Sequence, residues 1–290
     1  IDGFSGVMLP ELAFRSSPDK RAAPLRDTIE TSATAIDLRK TSPTDYPGFL
    51  GAARDQTVRG VRLARSWDEK GPQQLWKHPV GEAWSAFAIV AGVAITQEQR
   101  GAREAVTAYG LEDGKLLWKH EEEASKTHPV GGAGPRCTPL IDEGRVFALG
   151  ATGILVCLDG KDGSVIWRKD LPKDFGITPE DEASTVDYGR STSPLVLRNM
   201  LIVPIGGPES KTRTGLVAFE KATGKLLWKG PSRHISCASP AVASVAGREQ
   251  LLIVHEASVA GHDPADGSLL WEYPWPGKTS ADPVVSQVVK

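Results

Sequence analysis

Little in this 290-residue chain points to a disulfide framework, a haem or a soft-metal site. It has three cysteines, Cys137, Cys157 and Cys237. No two are adjacent, none opens a Cys-x-x-Cys-His phrase, and an odd number leaves at least one unpaired, so they read as free strand cysteines. An excess of either charge is also missing: 34 Lys and Arg stand against 36 Asp and Glu, a net charge of −2. That excludes a basic surplus for nucleic acid and an acidic block forming a disordered tail. There is no apolar run of about 18 residues, the length a membrane-spanning helix needs. Asparagine occurs once, at Asn199. No Met and no charged-then-apolar leader opens the chain at Ile1, so it reads as a processed or excised piece.

What is present is repetition. Tyr109-Gly110-Leu111-Glu112-Asp113-Gly114-Lys115-Leu116-Leu117-Trp118 is followed by Leu158-Asp159-Gly160-Lys161-Asp162-Gly163-Ser164-Val165-Ile166-Trp167, and two further copies end at Trp228 and Trp271. Each copy is a short apolar strand, a turn centred on Gly and a second strand closed by Trp. Trp76, Trp118, Trp167, Trp228 and Trp271 follow one another at intervals of 42, 49, 61 and 43 residues. A four-stranded propeller blade takes roughly 40–50. Gly114, Gly163, Gly224 and Gly267 share one slot, where the turn demands a positive φ. A single blade is too thin to bury its own faces, so the recurrent Trp is expected to be mostly buried between neighbouring blades.

A second phrase precedes each of these: Cys137-Thr138-Pro139, Thr192-Ser193-Pro194, Ala238-Ser239-Pro240 and, near the end, Ala281-Asp282-Pro283. Proline without an N–H fits the first residues of a strand. One blade then reads as strands at 137–142, 145–150, 154–158 and 164–168, and four near-complete blades fall at 84–120, 136–170, 191–230 and 237–273, with a fifth beginning near Pro283. Residues 1–47 read as an extended arm or linker and 48–290 as the propeller. Segment 74–80 looks like an outer strand without its three inner ones. A four-bladed ring is possible, but that lone strand and the Pro283 start favour a truncated larger ring.

The Gly-Lys-Leu-Leu-Trp phrases ending at Trp118 and Trp228 resemble the tryptophan-docking repeats of the PQQ-like (quinoprotein alcohol dehydrogenase-like) β-propellers, the superfamily that also holds the BamB lipoprotein. Tyr46-Pro47-Gly48-Phe49-Leu50-Gly51, Gly131-Gly132-Ala133-Gly134-Pro135-Arg136 and Val259-Ala260-Gly261-His262-Asp263-Pro264 resemble stretches of such proteins of the planctomycete type. The resemblance implies a ring of seven or eight blades, Trp118, Trp167, Trp228 and Trp271 as structural docking residues, and a place in the bacterial cell envelope or periplasm.

Function must be read from the loops that would gather at one mouth of the channel. They carry Gln97, Glu98, Arg100, Arg136, Asp187, Arg190, Glu209, His234 and Glu256. Most loop charges are simply solvated. Arg136 stands out because the glycines before it let the backbone turn closely and aim the guanidinium at the mouth; Glu98, Gln97, Arg190 and His234 are the further candidates, His234 as general base or rim histidine. The resemblance allows two functions. A quinone-dependent dehydrogenase would need pyrroloquinoline quinone (PQQ) with calcium, six to eight hard oxygen ligands and a stacking floor such as Trp84 or Trp275. A non-catalytic BamB-like scaffold would need none of these and would bind protein or another macromolecule, not nucleic acid, through the loop-rich face. The single asparagine and the absent adjacent cysteines favour the scaffold, with no catalytic residue and no metal ligand assigned.

Overall fold

The computed structural model describes residues 3–4, 10–11, 36–67, 71–207, 214–255, 257–275 and 287–288. Four antiparallel four-stranded sheets dominate, each a simple up-and-down meander. The first blade comprises Ala88–Val90, Val93–Arg100, Arg103–Gly110 and Leu116–Glu122. The second comprises Leu140–Asp142, Arg145–Leu149, Ile154–Asp159 and Val165–Asp170, within a few residues of the strands expected. The third runs Leu195–Leu197, Met200–Gly206, Thr214–Glu220 and Leu226–Lys229, and the fourth Ala241–Val245, Arg248–Val254, Ser258–His262 and Leu269–Pro274. Among the described residues helix is confined to two short pieces in one connection, Leu171–Asp174 and Pro179–Thr185, the second opened by a Thr178–Asp181 capping box.

Alternation explains the packing. Val146 and Ala148 point one way, into a core shared with Ile95, Val106 and Ala108 of the first blade, while Phe147 and Leu149 point the other way, onto Leu201, Val203 and Val217 of the third. Both faces of the middle strands are buried, so they read as unbroken apolar runs with little polar-out signal. Each blade also carries a bulge at the same place, between Ala108 and Tyr109, Cys157 and Leu158, Ala218 and Phe219, and Gly261 and His262.

The turn glycines and tryptophans lock blade to blade. A Cβ on Gly163 would strike the Trp118 ring at 2.5 Å, and the same glycine sits at φ 75°, so only glycine accepts both the ring and the turn. Trp118 Nε1–H donates to Gly160 O at 3.0 Å, and Trp167 Nε1–H to Lys221 O at 3.1 Å. Trp228 lies against Gly267, but its buried Nε1 makes no hydrogen bond. Trp118 and Trp167 are buried, at 4% and 8% exposure. Trp228 and Trp271 are more exposed than these two though still mostly covered, and Trp271, expected between blades, folds back onto its own sheet, where its Nε1–H donates to Gln250 Oε1 at 2.6 Å.

Segment 74–80 is not a strand; it delivers Trp76 to the Gly114 turn, with Nε1–H donating to Leu111 O at 2.8 Å. Upstream, Leu38 is buried between the first two blades. Tyr46 bridges to Ile89, Pro47 O accepts from Ile141 N at 2.7 Å, and Arg54 Nη1 donates to Pro194 O at 3.1 Å. Residues 46–54 therefore lie along the innermost strands of three successive blades. The expected fifth-blade start at Pro283 falls outside the described residues.

Candidate functional site

A ladder of hydroxyls ties the innermost strands together. Thr138 N–H donates to Ser193 Oγ at 3.0 Å, Ser193 N–H to Ser239 Oγ at 2.9 Å, and Ser239 N–H to Gln287 Oε1 at 2.9 Å. The Thr-Pro and Ser-Pro phrases announced these positions, and the hydroxyl before each proline was the unread part of the signal. Gln97 belongs to the same inter-blade stitching: it is buried and its Nε2–H donates to Cys137 O at 2.7 Å.

Glu98 and Arg190, expected at the channel mouth, are interior. Glu98 is fully buried, accepting from Arg100 Nη2 at 2.9 Å, from Tyr109 Oη at 3.0 Å and from the Gly81 amide. Burial alone would raise its pKa, yet the bonds from Arg100 and Gly81 hold it below the usual carboxylate range. It is the anchor that fixes segment 78–82, with His78 packed on Tyr109 at 5.0 Å. Arg190, 1% exposed, donates to Ile205 O at 2.9 Å and is paired with Glu182 of the short helix. A sequence shows that these residues are polar and near loops. It does not show which buried neighbour consumes each one.

Arg136 and His234 do face outward in part. Arg136 Nε–H donates to Tyr188 O at 2.8 Å and Nη2–H to Gly131 O. Its guanidinium stands 5.7 Å from the Trp84 ring and 6.0 Å from the Tyr188 ring. His128 stacks on Tyr188 at 4.2 Å. Its Nδ1 accepts from the amides of Val130 and Gly131, which fixes Nε2–H as the donor to Asp187 Oδ2 at 3.0 Å. Trp84, 65% exposed, is thus the outer wall of a guanidinium cluster. His234 lines a separate open pocket of about 370 Å³ with Arg233, His255, Ser258 and Glu272. Glu272 there is held by Ser258 Oγ at 2.6 Å and by both arms of Arg233. Burial and the nearby His262 push the His255 pKa down to about 4, so its imidazole is neutral at ordinary pH. Glu209 and Glu256 lie outside the described residues.

The donor set of the described residues does not fit a calcium–quinone pair. Among the described residues, no three His, Cys, Asp or Glu side chains converge on a point where a metal could sit. Four carboxylates are engaged by other side chains: Glu98 by Arg100, Glu182 by Arg190, Asp187 by His128 and Glu272 by Arg233. Asn199 sits on the far side, where its carbonyl accepts from Lys221 N in a strand turn. Trp84 packs its ring against the Arg136 guanidinium. All three cysteines are free, and burial raises the Cys157 pKa to about 12, which leaves that thiol inert.

A family model described as outer membrane protein assembly factor BamB matches residues 102–289. Among curated proteins, the quinohemoprotein alcohol dehydrogenase ADH-IIG of Pseudomonas putida is 24% identical over 220 residues, 69% of this chain and 28% of that protein. ADH IIB of the same organism is 28% identical over 133 residues, 43% of this chain and 17% of that protein. Among solved structures, a europium-containing methanol dehydrogenase superposes with a TM-score of 0.52 at 12% identity, over 82% of this chain and 50% of that one. BamB from Moraxella catarrhalis gives 0.45 at 21% identity, over 65% and 49%. This chain spans less than a third of those curated relatives and about half of those solved chains.

Proposed function

This chain belongs to the β-propeller family described as outer membrane protein assembly factor BamB, and we propose that it is a non-catalytic binding or assembly scaffold of the cell envelope that works through its loop-rich face. One observation carries the reading: Glu98, Glu182, Asp187 and Glu272 are each engaged by an internal partner, while an aromatic and cationic cluster around Arg136 and Trp84 is left partly facing solvent. Tyr, Trp and Arg are the side chains that dominate protein interfaces, because they bury much surface at small entropic cost. A carboxylate already paired with a cation is a weaker hard oxygen ligand and a weaker general base than a free one.

The second reading, a quinone-dependent alcohol dehydrogenase, is favoured by the similarity to quinohemoprotein enzymes over part of the chain. Isothermal titration with pyrroloquinoline quinone and calcium separates the two. The scaffold gives no calcium-dependent heat, whereas a stoichiometric micromolar site that needs calcium establishes the enzyme reading in its place.

A further inference from the structure

The guanidinium of Arg136 is partly stripped of water and has no counter-ion. Its hydrogen bonds go to two backbone carbonyls, those of Tyr188 and Gly131. Among the described residues no carboxylate stands within ion-pair distance of it, whereas Arg100, Arg168, Arg190 and Arg233 each pair with a glutamate. On the same rim Asp187 accepts from His128 Nε2–H at 3.0 Å and does not pair with Arg136. Carbonyl dipoles compensate a desolvated cation only in part, so the site retains a net attraction for an anion.

The cluster is also built to hold its shape. Trp84 and Tyr188 flank the guanidinium, and the Trp84 amide is fixed to Pro135 O at 2.9 Å. Gly131 and Gly132 press their backbone against the Tyr188 and Trp84 rings, where a Cβ on Gly131 would collide with Tyr188. Beside the cation lies apolar surface, with Trp84 65% and Val130 45% exposed. A fixed unpaired cation next to an exposed indole is complementary to a chain that presents a carboxylate and, adjacent to it, an apolar or aromatic side chain.

We propose that Arg136 is the receptor for a carboxylate carried by an acidic peptide segment of a partner protein, and that Trp84 is the platform for the neighbouring apolar side chain. The inference rests on the reading of this face as a binding surface and narrows its partner to one chemistry.

The test titrates the purified chain, at low and at physiological salt, with the blocked tripeptide Glu-Phe-Glu and its neutral counterpart Gln-Phe-Gln, read by calorimetry in every protein and by the Trp84 indole N–H resonance wherever Trp84 is retained. The acidic peptide saturates the site, more weakly as salt rises. The neutral peptide, Arg136→Gln and Trp84→Ala each weaken binding about tenfold or more, as expected when a charge-assisted hydrogen bond or an anchoring ring is lost. Arg198→Gln, which breaks an exposed pair with Glu249 at a strand turn remote from this cluster, leaves binding unchanged. Equal binding of the two peptides, no saturation with either, or an unaltered affinity in a folded Arg136→Gln protein overturns the proposal. A partner that is captured on this face and remains bound to Arg136→Gln overturns the carboxylate inference while leaving the scaffold reading in place.

Discussion

Replacing Trp167 and Trp228 in parallel tests whether the tryptophans dock by their rings alone or also by their N–H groups. Trp167 is 8% exposed, its ring covers the Gly224 turn, and its Nε1–H donates to Lys221 O at 3.1 Å. An indole buries roughly 200 Å², worth about 5 kcal/mol at about 25 cal/mol per Å², and measured Trp→Ala costs run about 3–5 kcal/mol. Trp167→Ala should therefore cost about 4 kcal/mol. Phenylalanine keeps most of the ring and loses the donor, so Trp167→Phe gives up about 1 kcal/mol of hydrogen bonding besides the lost contact. At Trp228 the same change removes a buried N–H that has no partner, which relieves a desolvation penalty of about 1–3 kcal/mol. Trp228→Phe should thus be milder than Trp167→Phe by at least about 1 kcal/mol. Urea unfolding followed by far-ultraviolet circular dichroism measures both differences. Equal costs for the two Phe variants, or a loss under about 1 kcal/mol for Trp167→Ala, would refute the docking argument.

Further outcomes follow from buried titrating groups and from the inter-blade ladder. Glu104, 5% exposed and bonded to the Ala151 amide at 3.1 Å, has its pKa pushed up to about 7, chiefly by burial. Its folded value lies above its unfolded one, so its contribution is complete below about pH 4.5 and is lost as pH rises through 7. Glu104→Gln keeps the acceptor and should stabilise by up to about 3 kcal/mol at pH 8.5 and by nothing at pH 4, read as urea midpoints at the two values. His255 has the opposite sign: with a folded pKa near 4 against 6.5, stability is full above pH 6.5 and falls by up to about 3 kcal/mol on acidification to pH 4. Much of that fall should vanish in His255→Gln, and an unchanged acid limb would contradict the assignment. Ser193→Ala leaves the buried Thr138 amide without its acceptor and should cost about 1–3 kcal/mol, with Ser193→Thr largely restoring it, as measured by thermal melting.

The fold was legible because its signals are local. A glycine at φ 68–75° in Gly114, Gly163, Gly224 and Gly267 is demanded by a turn that four or five adjacent residues define, and a periodic Trp needs only a neighbouring turn to pack on. Where locality failed, so did the reading. Segment 74–80 has the composition of an outer strand, yet what the fold takes from it is one indole on the Gly114 turn. Trp271 carries the same phrase as Trp118 but bonds to Gln250 of its own sheet. The phrase specifies the residue and its strand, while its burial depends on which surface stands opposite.

The candidate site was less legible for the same physical reason taken further. Gln97, Glu98 and Arg190 differ from Arg136 in no property that a sequence displays. They differ in whether a partner distant along the chain, or a clamp of nearby loop residues, meets them. Gln97 finds Cys137 O on the next blade, Arg190 finds Glu182 and Ile205 O, and Glu98 finds Arg100, Tyr109 and the incoming Gly81 amide. A charge placed in an interior of low dielectric must be paired or it disfavours the fold, so polar residues at blade seams are drawn inward as ties. Arg136 remains because its neighbours offer carbonyls and aromatic faces but no acid. Arg54 shows what a cation does when the same kind of pairing is combined with full enclosure. At 8% exposure, bonded to Pro194 O, with Nη2 lacking a partner and its pKa lowered by burial to about 10, it is held over Phe49 as a structural tie. The accessible member of this pair is the one positioned to take its counter-ion from another molecule.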